Sequence, residues 1–298
     1  MSILKNIRVD GRKIVMGYGF YISIFLTFIL CLSSPIYKHE EKNETYSVID
    51  VLNKFNKETM LEYPEMCADT VLMKGNRGWL SLFIPIISGF AFVPIICDEY
   101  NFKVVRNEIF RSTNFRFNTS KFVMACVSGG VAVMIGYALY ICLISTLFPS
   151  FNLYQPELQM TISEEIYGSN PFFSDLNKIS ITFLKLGEIF LYGLFSSVFV
   201  VFLSSFVKNK YLVLCVPFFI QYGITQFCMK IRITEINNAE KMNEKLLYIS
   251  NIILPESVAD LSQYVFYIKY IIVYNIAKMI LLYIAYMIIN YRRVDYGE

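Results

Sequence analysis

The chain has 298 residues, 55% of them hydrophobic and 17% charged, with a mean hydropathy of +0.48 and a formal net charge of +3. An average soluble domain is about 25% charged and needs no apolar runs of twenty residues. The composition excludes an ordinary soluble fold and places the chain among membrane proteins, since a hydrocarbon layer roughly 30 Å thick takes about 20 apolar helical residues to cross.

Residues 1–13, MSILKNIRVDGRK, set Ile3, Leu4 and Ile7 beside Lys5 and Arg8. That pattern suits a short helix lying on the inner membrane surface, with a frayed basic tail as the alternative. Six apolar runs follow, at 14–34, 78–97, 122–147, 180–206, 211–229 and 266–290. They are continuous rather than alternating, as in YISIFLTFILCL, so they predict transmembrane helices and not the short alternating strands of a barrel. The first run is longer than a signal-peptide core and is followed by no small-residue cleavage site, so it is expected to remain as an anchor.

Lys and Arg set the expected orientation. With the N-terminus inside, the inner segments 1–13, 98–121, 207–210 and 291–298 hold thirteen basic residues in 49 positions. The outer segments 35–77, 148–179 and 230–265 hold eleven in 111 positions. The difference in density predicts both termini in the cytosol. The charge excess concerns topology and gives no reason to expect nucleic-acid binding.

The outer segments differ in character. Residues 35–77 carry eight acids and six bases with Val48, Ile49, Val51, Leu52 and Phe55 among them, which predicts a small, partly helical extracellular element. Residues 148–179 read as loop with one short helix. Within 230–265, the apolar stretch 246–254 is too short to cross; it is either a re-entrant segment turning back at Pro255 or an outward extension of the sixth helix.

Sites for chemistry are scarce. Six of the seven cysteines fall in or at the ends of the apolar runs and only Cys67 lies clearly in an outer loop, so there is no disulfide framework. His39, the single histidine, reads as a solvated loop residue, and no zinc site is expected. Glu164 and Glu165 form an acidic pair without a partner histidine and read as loop acids. No G-x-S-x-G, H-E-x-x-H or G-x-x-x-x-G-K-[ST] occurs, so no catalytic role is expected, and any nucleotide energy must come from another subunit.

Ionisable groups inside a membrane need partners. Lys185 and Glu188 stand three apart in the fourth run and share a helix face. Lys278 sits near the middle of the sixth run, where it either faces a bundle interior, with Glu188 or a backbone carbonyl as partner, or snorkels to an interface. Pro217 interrupts the fifth run and is followed by Gln221 and Gln226, a pattern that suits a kink lining a pathway. ACVSGGVAVMIG in the third run suits close helix packing.

The segment 98–113 begins DEYNFKVVRNEIF. On a helix starting near Asp98, Phe102, Val105, Ile109 and Phe110 form an apolar stripe, and Asp98 and Glu99 fall at the N-terminus, where negative charge suits the helix dipole. Such a helix can rest on lipid or offer a face to a partner.

Six helices with both ends inside, a basic amphipathic N-terminus and a long inner loop between the second and third helices resemble the permease subunit of ABC-2 type exporters. The motif-like part is residues 97–125, CDEYNFKVVRNEIFRSTNFRFNTSKFVMA. Asp98 and Glu99 match the family's acid-led segment after the second helix, and Lys121 matches the lysine opening the third. Where the family often has a Gly-Thr pair after the acids, this chain reads NFKVV.

The resemblance implies an all-α membrane bundle of six transmembrane helices, located in the cell membrane. It implies a coupling helix at 98–113 that docks on a separate ATPase subunit through Asp98, Glu99, Tyr100, Lys103, Arg106 and Asn107. It implies two ATPase copies carrying ATP and Mg, a second permease copy or a related permease, and export of peptide, drug or lipid-like cargo by alternating access. Lys185, Glu188, Gln221, Gln226 and Lys278 are the expected polar residues of the pathway. The alternatives are a non-transporting structural or sensory membrane partner and an ATP-independent secondary carrier.

Overall fold

The computed structural model describes residues 3–39, 44–102, 112–167, 178–237, 244–261, 264 and 267–295. Helix α1 (Ile3–Met16) meets α2 (Tyr18–Leu32) at a bend of 60°. Gly17 sits at the break with extended backbone angles, φ −77° and ψ 139°. The face of α1 that packs inward carries Asn6, Asp10 and Ile14, whereas Leu4, Val9, Val15 and Met16 are exposed. Lys5, Arg8 and Arg12 are exposed beside these apolar residues, and an outward face mixing basic and apolar side chains suits a lipid interface.

An antiparallel ribbon of β1 (Pro35–His39) and β2 (Glu44–Ser47) follows. Ser47 then caps α3 (Val48–Lys54) in a reciprocal capping box with Asp50, and α4 (Lys57–Met60) comes next. Tyr37, Tyr46, Phe55 and Tyr63 pack ring against ring over this element, Tyr37 and Tyr63 with centroids 5.3 Å apart. Cys67, expected in an outer loop, is fully buried at the start of α5 (Ala68–Gly75).

The second apolar segment is broken twice. A π turn at Asn76–Leu80 separates α5 from α6 (Ser81–Phe90), and α7 (Val93–Asn101) starts after a second interruption. At Gly78 the backbone leaves helical geometry and approaches Ser34 so closely that a Cβ would lie 2.3 Å from its Oγ. The remaining elements are α8 (Asn114–Leu147), a 3₁₀ turn at Phe151–Leu153, α9 (Pro156–Tyr167), α10 (Lys178–Ser204), α11 (Lys210–Asn237), α12 (Glu244–Ile253), a 3₁₀ turn at Pro255–Val258, and α13 (Ile268–Asp295). At 1.5 Å per residue α8 is about 50 Å long, which exceeds a hydrocarbon layer.

Five segments are long and apolar enough to cross a membrane, and a sixth if α1 and α2 count as one bent span. Large apolar residues of α11 and α13, among them Phe219, Phe227, Leu281 and Ile284, are exposed. Both observations are consistent with a multi-pass membrane protein.

The helices pack around α8 and α10. The backbones meet where Gly129 and Gly130 face Gly193: a Cβ on Gly193 would lie 3.0 Å from the Gly130 Cα and 3.2 Å from the Gly129 carbonyl oxygen. In lipid, small residues of this kind allow the close van der Waals contact that holds helices together. Packed side by side with α8 are α1 and α2, while α6 bridges α10 and α11.

Side-chain contacts show which helix ends lie together. Lys13, Glu99 and Lys121 meet, Asp98 meets Lys210, and Tyr100 meets Asn290. This is the terminal end of the bundle. At the far end Ser34 donates to the Gly75 carbonyl, and Arg77 and Lys185 converge on Asp260.

Gly193→Leu should separate α8 from α10 and cost about 1–3 kcal/mol, the usual penalty of overpacking. Gly187→Leu, on the same helix where an added Cβ meets nothing within 4 Å, should be near neutral. Thermal unfolding of both variants in detergent checks the pair.

Candidate functional site

Three groupings of polar residues stand out. The first is at the terminal end. Asp98, Glu99 and Tyr100 form the last turn of α7, not the first turn of a new helix as the spacing predicts. Pro94 and the break at Phe92 start the helix earlier, so its register runs from the apolar segment through the acids. The dipole argument therefore reverses, because acids at a helix C-terminus are unfavourable.

Cations from three other helices offset that cost. Lys13 of α1 donates to Glu99 Oε1 at 2.9 Å, Lys121 of α8 pairs with the other carboxylate oxygen, and Lys210 of α11 reaches Asp98 Oδ1 at 2.6 Å. Glu99 and Lys121 are both buried. Lys121 lies two turns inside α8 rather than at its opening, with its ammonium 4.7 Å from the Phe117 ring centroid. Ser120 donates to Asp10 Oδ2 at 2.6 Å, which ties α1 to the same turn of α8. Lys103, Arg106 and Asn107 lie outside the described residues, as does most of the segment 98–113.

The second grouping is at the far end. Lys185 and Glu188, predicted to share a face, are 3.3 Å apart. A second carboxylate joins them: Asp260 accepts from Lys185 at 2.9 Å and from the Arg77 guanidinium through both Nε and Nη2. The π turn at Asn76–Leu80 positions Arg77, and Asn76 donates to the Ala259 carbonyl at 2.8 Å, which seats the Asp260 turn. Burial pushes the Asp260 carboxyl up, but Lys185 and Arg77 outweigh it and hold the group below the ordinary carboxylate range. Nearby Glu256 goes the other way: burial raises it, opposed by a hydrogen bond from Ser81 and by Arg232 and Arg77.

The third grouping lines a cleft of about 500 Å³. Its floor is α10, with Tyr192, Phe195, Ser196 and Phe199. One wall is α11, from Pro217 through Gln221 to Ile224, and the other is α13, from Tyr274 to Leu282. Ile253, Pro255 and Val258 cover it from the far end, so the stretch 246–254 contributes part of α12 and the roof. The cleft exists because α11 leans on α6 while α13 leans on α10. Tyr192 donates to the Ser81 carbonyl at 2.9 Å and accepts from Gln221 Nε2 at 3.2 Å. Lys278 lines the α13 wall with its ammonium 5.8 Å from the Tyr274 ring centroid. Among the described residues no carboxylate lies within ion-pair distance of Lys278, and Glu188 is engaged by Lys185 instead. Gln226 is exposed and lies outside the cleft.

The sequence reading missed Arg77, Asp260, Lys13, Asp10 and Tyr192. The long-range pairs have no local signal, since Asp260 is 183 positions from Arg77 and 75 from Lys185. Among the described residues, no group of three or more His, Cys, Asp or Glu side chains converges as a metal centre would require. No protein-family model, curated protein or solved structure matches the chain.

Asp260→Asn should destabilise the far end. Removing one partner of a buried ion pair costs roughly 3–5 kcal/mol, and the lower end applies because the Arg77 side chain is 38% exposed. Because the folded-state pKa of Asp260 is lowered, its contribution is present above the ordinary value of about 4 and lost as pH falls through the lowered one. Thermal unfolding followed from neutral to acid pH should show a lower plateau and a shallower acid limb in the variant.

Proposed function

We propose that the chain is the permease subunit of an ATP-driven ABC-2 type exporter in the cell membrane, with both termini in the cytosol. The observation that carries this reading is the contact of Glu99 with Lys121. These are the acid after the second apolar segment and the lysine of the third that the resemblance singles out, and Lys13 of the amphipathic N-terminal helix completes the cluster.

In this reading Asp98, Glu99 and Tyr100 stand at the root of the segment that docks on the ATPase. A displacement of that segment reaches α1, α8, α11 and α13 directly, through Lys13, Lys121, Lys210 and Asn290. The sequence has no phosphate-binding loop, so ATP and Mg bind on two copies of a separate subunit. A second permease copy or a related one completes the transporter. Binding and hydrolysis of ATP bias two membrane conformations by changing the contacts at the terminal end, and the cargo is of peptide, drug or lipid-like chemistry.

The test is co-purification with a soluble Walker A protein encoded beside this gene, followed by its ATPase rate with and without the chain in nanodiscs. The chain should bind that protein and change its rate. Glu99→Gln should lower thermal stability, because it removes the carboxylate paired with the buried Lys121, and should abolish the chain's effect on the ATPase rate. Adding Lys121→Met should restore stability while the effect on ATPase rate stays lost. A stable chain that captures no ATPase, or a double variant with undiminished effect, would remove this reading.

A further inference from the structure

The cleft between α11 and α13 carries Gln221 and Lys278, two of the polar residues expected along the pathway, and has properties that packing alone does not require. Its surface is apolar for most of its extent, and its volume of about 500 Å³ falls within the roughly 300–1,000 Å³ of small-molecule sites. Ile220 and Leu281 on its rim stay exposed, so it opens sideways, where the bilayer would lie. Three of its polar groups are already satisfied. Tyr192 is held by Ser81 and Gln221, Gln221 donates to Tyr192, and Asn275 Nδ2 donates to the Ile271 carbonyl at 2.9 Å.

Lys278 differs from these. It lies ten residues, about 15 Å, from the far end of α13, too deep for its ammonium to reach that interface easily. The Tyr274 ring, near the limit of a useful cation–π contact, is its neighbour, and no carboxylate among the described residues answers its charge. Lys13, Lys121, Lys185 and Lys210, at the bundle ends, all have carboxylates. A cation at this depth is expensive unless paired.

We propose that the cleft is a binding site for one small hydrophobic carboxylate, which enters sideways from the bilayer, places its apolar body against Phe195, Phe199 and Ile224, and pairs its single negative charge with Lys278. Charge complementarity selects the head group, since a cation with no carboxylate partner among the described residues calls for one anion. Depth argues against a bilayer phospholipid in its ordinary position, because its phosphate lies at the interface, well above Lys278. The site is independent of whether the chain exports anything, so it stands or falls apart from the exporter reading.

The test uses the full-length protein in detergent and tritiated decanoate in a scintillation proximity assay, with unlabelled decanoate, decanol and decylammonium as competitors. Decanoate should bind saturably, and decanol and decylammonium should compete at least about tenfold more weakly, the equivalent of one charge-assisted contact. Lys278→Met should bring decanoate down to the level of decanol, and Lys278→Arg should keep the preference. Equal competition by decanol, stronger competition by decylammonium, or no saturable decanoate binding to the wild-type protein would overturn the proposal. Those wild-type comparisons decide it even where Lys278→Met does not fold, and undiminished decanoate binding in a folded Lys278→Met variant would overturn it as well.

Discussion

The close approach of α8 and α10 at Gly129, Gly130 and Gly193 is the contact on which the bundle depends. Lipid tails are as apolar as leucine, so hydrophobic burial cannot draw helices together inside a membrane, and van der Waals fit must do it. Fit is best where backbones touch, and backbones touch only where side chains are missing. Once α8 and α10 are locked, the other helices have fixed positions to pack on, with α1 and α2 beside α8 and α6 bridging α10 and α11.

Charge then fixes the two ends. Each end carries a cluster joining residues that are far apart in the chain: Lys13, Glu99 and Lys121 at one end, Arg77, Lys185 and Asp260 at the other. Buried ion pairs of this sort add little net stability, because desolvation offsets most of the attraction. Breaking them is costly, however, and each joins elements far apart in the chain, so they specify which helix ends meet. The π turn at Asn76–Leu80 shows the same logic locally. Gly78 allows the chain to crowd Ser34, and the wide turn that results presents Arg77 to Asp260 and Asn76 to Ala259.

The parts of the structure legible in the sequence are those set by local pattern. Long apolar runs predict the spanning helices, since one backbone solution satisfies hydrogen bonds in lipid, and the three-residue spacing of Lys185 and Glu188 predicts their pairing. Where two local rules compete, the pattern misleads. The stripe beginning at Asp98 fits a new amphipathic helix, but Pro94 starts α7 earlier and carries the acids to its last turn. The ribbon of β1 and β2 goes unread because its two strands are only five and four residues long and its support comes from Tyr37, Phe55 and Tyr63, which the fold brings together. Of the cleft, Pro217, Gln221 and Lys278 were readable as unusual, whereas Tyr192 and the roof at Pro255 come from tertiary packing alone.

Burial is unevenly distributed over the spans, and this bears on how the cleft could change shape. The most apolar window of the second span is 67% buried and that of α13 only 17%. α13 is held by α10 along one face, by Asn290 and Tyr283 near the terminal end, and by α12 and the 3₁₀ turn near the far end. The wall of the cleft that carries Lys278 is thus its most weakly packed wall, while the floor on α10 belongs to the tightest pair in the bundle. The roof is tied through Asp260 to Lys185 of that same floor helix. A rearrangement of the far-end ion pairs would therefore act on the roof and on α13 before it disturbed α8 and α10, which makes the α13 side the one with least resistance to opening.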